Sequence, residues 1–125
     1  MVGTALQVAL GGAIGAVLRY LVGVGALRVT GGGFPLGVLS VNILGSFLMG
    51  VFVVAAAHRG LTHLSPLVMT GFLGGFTTFS AFSLEAVTLY ERGAVAQAAL
   101  YVGLSVILSI GGLILGLWVA RSLIS

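Results

Sequence analysis

A chain of 125 residues that is 59% hydrophobic and only 6% charged cannot cover itself with a water-facing surface. Soluble domains carry about 25% charged residues, so the solvent for most of this chain is lipid. The formal charge of +3 comes from Arg19, Arg28, Arg59, Arg92 and Arg121 against two glutamates; with no basic run to track phosphates, a nucleic-acid partner is excluded.

Four stretches reach the roughly 20 apolar residues that a membrane span needs: about 4–27, 36–57, 64–90 and 94–117. They predict an all-α integral membrane protein in which 1–125 is a single transmembrane domain. The first stretch has no basic leader, and its apolar run is longer than that of a signal peptide, so it reads as a retained helix. Arg19 lies in its second half. There it either snorkels to the interface or sits in a water-filled vestibule. A Gly/Pro connection, Thr30 to Pro35, leads to the second span, where Asn42, Ser46 and Gly50 recur every fourth residue on one helix face. The polar link from His58 to His63 ends that span. Its two histidines are too poor a metal signal to be read as anything but solvated.

The third stretch opens with Pro66 in its first turn, where the missing N–H does no harm. Its centre is poor helix material: Gly74 and Gly75, then Phe76, then the β-branched Thr77 and Thr78. A break is predicted between Gly74 and Thr78, the alternative being a continuous helix that packs on Gly71 and Gly75. In hydrocarbon, freed backbone groups persist only where protein, water or an ion satisfies them. Half-helix ends at that depth also build ion sites. Just beyond, Phe79 and Phe82 share a face, beside Ser80 and Ser83. Ring edges carry positive partial charge and would favour a small anion over a cation. Glu85 is the only acid well inside a span and needs a partner or water.

In the fourth stretch Tyr101, Ser105, Ser109, Gly112 and Gly116 form one stripe. This stripe and the one on the second span have two readings. They are interhelical glue, with small residues packing and hydroxyls bonding across, or a polar track whose donors serve a dehydrating anion. Enzyme motifs are absent: there is no His-Glu-x-x-His and no Asp at all, and the glycines at 11, 12 and 15 follow no strand. With no cysteine there is no disulfide or thiolate metal site. The loop arginines balance, Arg28 and Arg92 on one side against Arg59 and Arg121 on the other. Without a positive-inside bias, insertion in both orientations is expected.

The run from Gly71 to Glu85 closely resembles the signature of the Fluc (CrcB) fluoride channels, as do Gly11-Gly12-x-x-Gly15-x-x-x-Arg19 and Asn42-x-x-Gly45-Ser46. The resemblance covers essentially the whole chain. It implies an antiparallel homodimer in the bacterial inner membrane, with two fluoride pores and a central structural sodium held by carbonyls of a helix broken at mid-membrane. Carried across, the sodium carbonyls fall on Gly74 and Thr77. The pore rings are Phe79 and Phe82, the pore-lining amide is Asn42, the vestibule cation is Arg19, and the fourth-span track is Tyr101, Ser105 and Ser109. Leu113 stands where some relatives carry another hydroxyl, which shortens the expected track, and Phe76 stands where leucine is more usual. The implied function is fluoride export, which protects a cell from acid-driven fluoride accumulation. The alternative, a small proton-coupled multidrug transporter, needs a titratable carboxylate in its first span; residues 4–27 contain neither Asp nor Glu. A structural subunit that only packs against larger partners would not need a broken helix.

Overall fold

The computed structural model of the protein describes residues 1–124. Helix α1 spans Val2–Thr30 and α2 spans Leu36–Arg59. The third membrane-length segment, Thr62–Glu91, is composite. A 3-10 turn (Thr62–Leu64) leads into a π-helix (Pro66–Leu73) and the short α3 (Gly74–Phe76), and after an interruption into α4 (Phe79–Glu91). Helix α5, Val95–Ile124, completes the chain. There is no strand among the described residues. Four helices are long and apolar enough to cross a membrane, and the shortest has 24 residues. At about 1.5 Å per residue even that one exceeds a hydrocarbon core of about 30 Å.

Helix ends fall where glycine allows a left-handed turn. Gly31 (φ 74°), Gly60 (φ 69°) and Gly93 (φ 84°) follow or lie just beyond the last residues of α1, α2 and α4. The Gly31 N–H closes on Leu27 O at 2.8 Å, and Leu61 N–H on Ala56 O at 2.9 Å, so the last carbonyls are satisfied by the turn itself. Helices α1 and α5 run past the apolar limits expected at 27 and 117 because nothing in the adjoining sequence stops them sooner.

The helices pair through glycine. A Cβ on Gly11 would run into Leu67 O, and one on Gly15 into Phe72 O, so α1 lies backbone to backbone on the first half of the third segment. A Cβ on Gly50 would strike Leu113 O, and one on Gly116 would strike Phe47 O, which seats α2 on α5 in the same way. In lipid there is no hydrophobic drive between helices, so this close approach is what holds them. Helix α4 instead packs through side chains: Leu39, Phe82, Leu89, Ala98 and Tyr101 form the buried cluster that joins it to α2 and α5. Outward faces such as Leu6, Leu10 and Val17 on α1 and Ile107, Ile114 and Trp118 on α5 are exposed and apolar. That surface suits lipid or another apolar helix, not water.

Candidate ion pathway at the helix interruption

The third segment leaves helical geometry at two residues. Thr77 (φ −90°, ψ 161°) and Thr78 (φ −153°, ψ 124°) are extended, the conformation that β-branched side chains favour. Gly74 to Phe76 remain helical, so the interruption occupies only the last two residues of the window read from sequence. The reason is local capping. The Thr78 hydroxyl accepts from Ala81 N–H at 3.2 Å and acts as N-cap of α4. That pattern, a threonine immediately before an apolar helical run, was available in the sequence.

The backbone bonds around the interruption are redirected. In a continuous helix Thr78 N–H would bond Gly74 O, and Ala81 N–H would bond Thr77 O. Instead Thr78 N–H donates to Asn42 Oδ1 at 2.8 Å, and Ala81 N–H goes to the Thr78 hydroxyl. Asn42 returns the contact, its Nδ2 donating to Thr78 O at 3.0 Å, so one side chain pairs with one backbone unit as a strand neighbour would. Gly45, one turn on, leaves room for the Thr77 methyl group. Arg19 reaches across from α1, and its Nε donates to Gly75 O at 3.0 Å. The carbonyls of Gly74, Gly75, Phe76 and Thr77 thus all lose the donors of a continuous helix, and of these Gly75 O takes Arg19 in exchange.

A cavity of about 410 Å³ opens beside the interruption. Asn42, Ser46, Phe79, Phe82, Ser105, Ser109 and Leu113 are among its lining residues. One Asn42 N–H is used by Thr78 O; an amide nitrogen carries a second. Ser105 Oγ is buried with no hydrogen-bond partner among the described residues. Phe79 and Phe82 sit with ring centroids 5.4 Å apart, tilted by 53°. They differ in setting: Phe82 is 8% exposed and Phe79 76%. The lining carries donors, aromatic rings and aliphatic groups, and no charged side chain.

The remaining residues singled out by sequence lie elsewhere. Tyr101 does not line the cavity. It is fully buried behind it, its ring 5.2 Å from that of Phe82 and 5.5 Å from that of Phe34, and its hydroxyl has no partner among the described residues. Arg19 bonds the last helical turn before the interruption, at Gly75 O. Glu85 faces a second cavity, about 390 Å³, shared with Arg92, Thr30, Thr88 and Phe34. Ser80 and Ser83 are satisfied locally, by Thr78 Oγ1 at 3.2 Å and Phe79 O at 2.9 Å. His58 and His63 are exposed. Among the described residues no group of His, Cys, Asp or Glu could hold a metal.

The family described as CrcB-like protein, Camphor Resistance (CrcB), matches residues 6–117, which include the interruption and the whole cavity lining. The chain belongs to the Fluc/CrcB family. Similar CrcB proteins include two named "Fluoride-specific ion channel FluC". That of Ruegeria sp. (strain TM1040) is 72% identical over 123 residues, 98% of either chain. That of Roseobacter denitrificans (strain ATCC 33942 / OCh 114) is 70% identical over 118 residues, 93% of this chain and 94% of its own. A third of that name, from Jannaschia sp. (strain CCS1), is 84% identical over 91 residues, 73% of this chain and 87% of its own. As a CrcB protein with four membrane-length apolar helices, the chain is a multi-pass membrane protein.

Proposed function

We propose that the chain forms a fluoride-selective channel that exports fluoride across the bacterial inner membrane. The observation that carries this is the cavity at the interruption: neutral donors from Asn42, Ser105 and Ser109 face the rings of Phe79 and Phe82, with no fixed charge. Fluoride holds its water tightly, so a pathway must replace that water with well-placed donors. A buried hydroxyl without a partner, as at Ser105, is a donor in reserve. Relatives at about 70% identity carry the fluoride-channel name.

The working unit is an antiparallel homodimer with two pores. Phe79, 76% exposed, leaves one wall of the cavity open to a second copy, and the balanced loop arginines favour neither orientation. The interruption at Thr77 and Thr78 falls near the middle of Thr62–Glu91, hence near mid-membrane. There the Gly74 and Thr77 carbonyls, with their helical donors diverted, fit a hard monovalent cation. About a twofold axis two chains would each contribute both oxygens. A sodium ion bound there would supply positive charge to carbonyls that hydrocarbon would otherwise leave unsatisfied. Replacing sodium with a large organic cation should weaken the dimer, and unchanged dimer stability would remove the ion from the scheme.

Fluoride efflux from liposomes holding the purified protein tests the function. Fluoride should leave rapidly and chloride should stay. Liposomes that retain fluoride as protein-free ones do would overturn the proposal. A terminal tag should be reachable from both membrane faces; a tag seen from one face only would end the antiparallel arrangement.

A further inference from the structure

Gly11, Gly15 and Arg19 stand four residues apart on α1 and share one face. The two glycines bring that face against the backbone of the third segment at Leu67 and Phe72. Gly75 closes the contact from the other side, where a Cβ would meet Gly12 O at 2.7 Å and Ala16 N at 3.3 Å. One turn beyond Gly15 the same face delivers the Arg19 guanidinium to Gly75 O. That carbonyl lies at the C-terminal end of the helical run Pro66–Phe76, where aligned peptide dipoles leave partial negative charge. The face is therefore a single device: two missing side chains set the helix separation, and the arginine then spans it.

We infer that Arg19 is a positioning residue, which fixes the end of the first half-helix by capping Gly75 O, and that the pathway depends on this cap rather than on attraction of anions by the arginine charge. Gly75 sits between Gly74 and Thr77, so a loose Gly75 carbonyl would displace both neighbours as well as the Thr78 unit that Asn42 holds.

The two roles separate by substitution. In Arg19→Gln the amide nitrogen stands as many bonds from the backbone as Arg Nε, so it can donate to Gly75 O without charge. Arg19→Lys keeps the charge but carries its ammonium one atom further out. Arg19→Met has neither donor nor charge. Fluoride efflux per folded dimer is measured across fluoride concentration and ionic strength, and thermal stability of the purified protein beside it. With the cap as the essential role, Arg19→Gln stays within about threefold of the unsubstituted protein at saturating fluoride. Arg19→Met falls by about tenfold, equivalent to about 1.4 kcal/mol, and Arg19→Lys lies between. Melting temperatures follow the same order. Efflux in which Arg19→Lys matches the unsubstituted protein while Arg19→Gln falls with Arg19→Met, with the loss confined to low fluoride and low salt, would overturn the inference. So would three variants that melt and conduct alike. The efflux arm rests on the fluoride proposal. The melting order does not, so a protein that passes no fluoride still decides whether Arg19 is a cap.

Discussion

The contact between α2 and α5 has two ends built on the same four-residue repeat, and they do opposite things. At one end Gly50 and Gly116 bring the backbones into van der Waals contact. At the other Asn42, Ser105 and Ser109 line a cavity that the same two helices share with the third segment. Register is shared; only side-chain size and polarity change. Glue and pathway, which the sequence offers as alternatives for each stripe, are thus successive parts of one stripe.

That comparison breaks most completely at the glycine end. Gly116→Val places a branched side chain against the Phe47 carbonyl and Val51 N. Backbone atoms cannot swing aside as a flexible side chain can, and overpacking of this kind costs about 1–3 kcal/mol or more. The expected result is loss of monodisperse protein on size-exclusion chromatography, with little left to assay. Full recovery of folded protein would show that α2 and α5 are held by something other than this contact.

At the polar end the largest effect belongs to Asn42→Ala. It strips the Asn42 bonds from both the N–H and the carbonyl of Thr78, which are part-buried, so the cost lies toward the lower end of the roughly 1–3 kcal/mol of an unsatisfied buried group. It also removes a donor from the cavity. Fluoride efflux should fall by more than about tenfold. Ser46→Ala, on the same stripe and lining the same cavity but bonded to nothing in the structure, serves as the control and should conduct nearly as before. Equal losses in the two would mean that Asn42 acts only as one more lining residue.

The two rings allow a finer separation. Aliphatic substitution keeps much of the bulk and removes the positive ring edge, so Phe79→Ile and Phe82→Ile should both cut fluoride efflux sharply without admitting chloride. Their stabilities should diverge. Phe82 belongs to the buried cluster with Tyr101 and Leu89, and its truncation should cost about 1–3 kcal/mol. Phe79 is largely exposed in the single chain and should be nearly neutral there. Efflux per folded dimer, with melting curves alongside, tests both statements. Undiminished fluoride efflux in both proteins would reduce the rings to packing.

Much of this arrangement was legible because lipid simplifies the code. Long apolar runs mark spans, and glycine marks close approach, so four helices could be expected in the right order, although α5 runs seven residues past the end expected at 117. The glycine pair and the threonine pair together pointed to an interruption between Gly74 and Thr78, of which only the threonines leave the helix. What could not be read is whatever depends on a partner far along the chain. Asn42 and Thr78 are 36 residues apart, Arg19 and Gly75 are 56 apart, and neither pairing has a local signature. Tyr101 shares a stripe with Ser105, yet its ring turns into the cluster between Phe34 and Phe82. The π-helix over Pro66–Leu73 was missed as well. Bonding from i to i+5 leaves no compositional trace.

The smallest effect lies at the boundary between the two ends, and Leu113 occupies it. Its carbonyl lies where a Gly50 Cβ would be, so its backbone belongs to the packed end. Leu113 also lines the cavity, one turn beyond Ser109 in sequence. Leu113→Thr adds a hydroxyl in line with Ser105 and Ser109 without disturbing the glycine contact. A threonine in a helix returns its hydroxyl to a carbonyl one turn back for part of the time, so only part of its donor capacity reaches the cavity. Lost packing should lower stability by about 1 kcal/mol, and fluoride efflux per folded dimer should rise, by no more than a few-fold. A rise places the entrance to the track at residue 113 and shows that the leucine limits it. An unchanged rate, with the protein intact by melting curve, would place the end of the working track at Ser109.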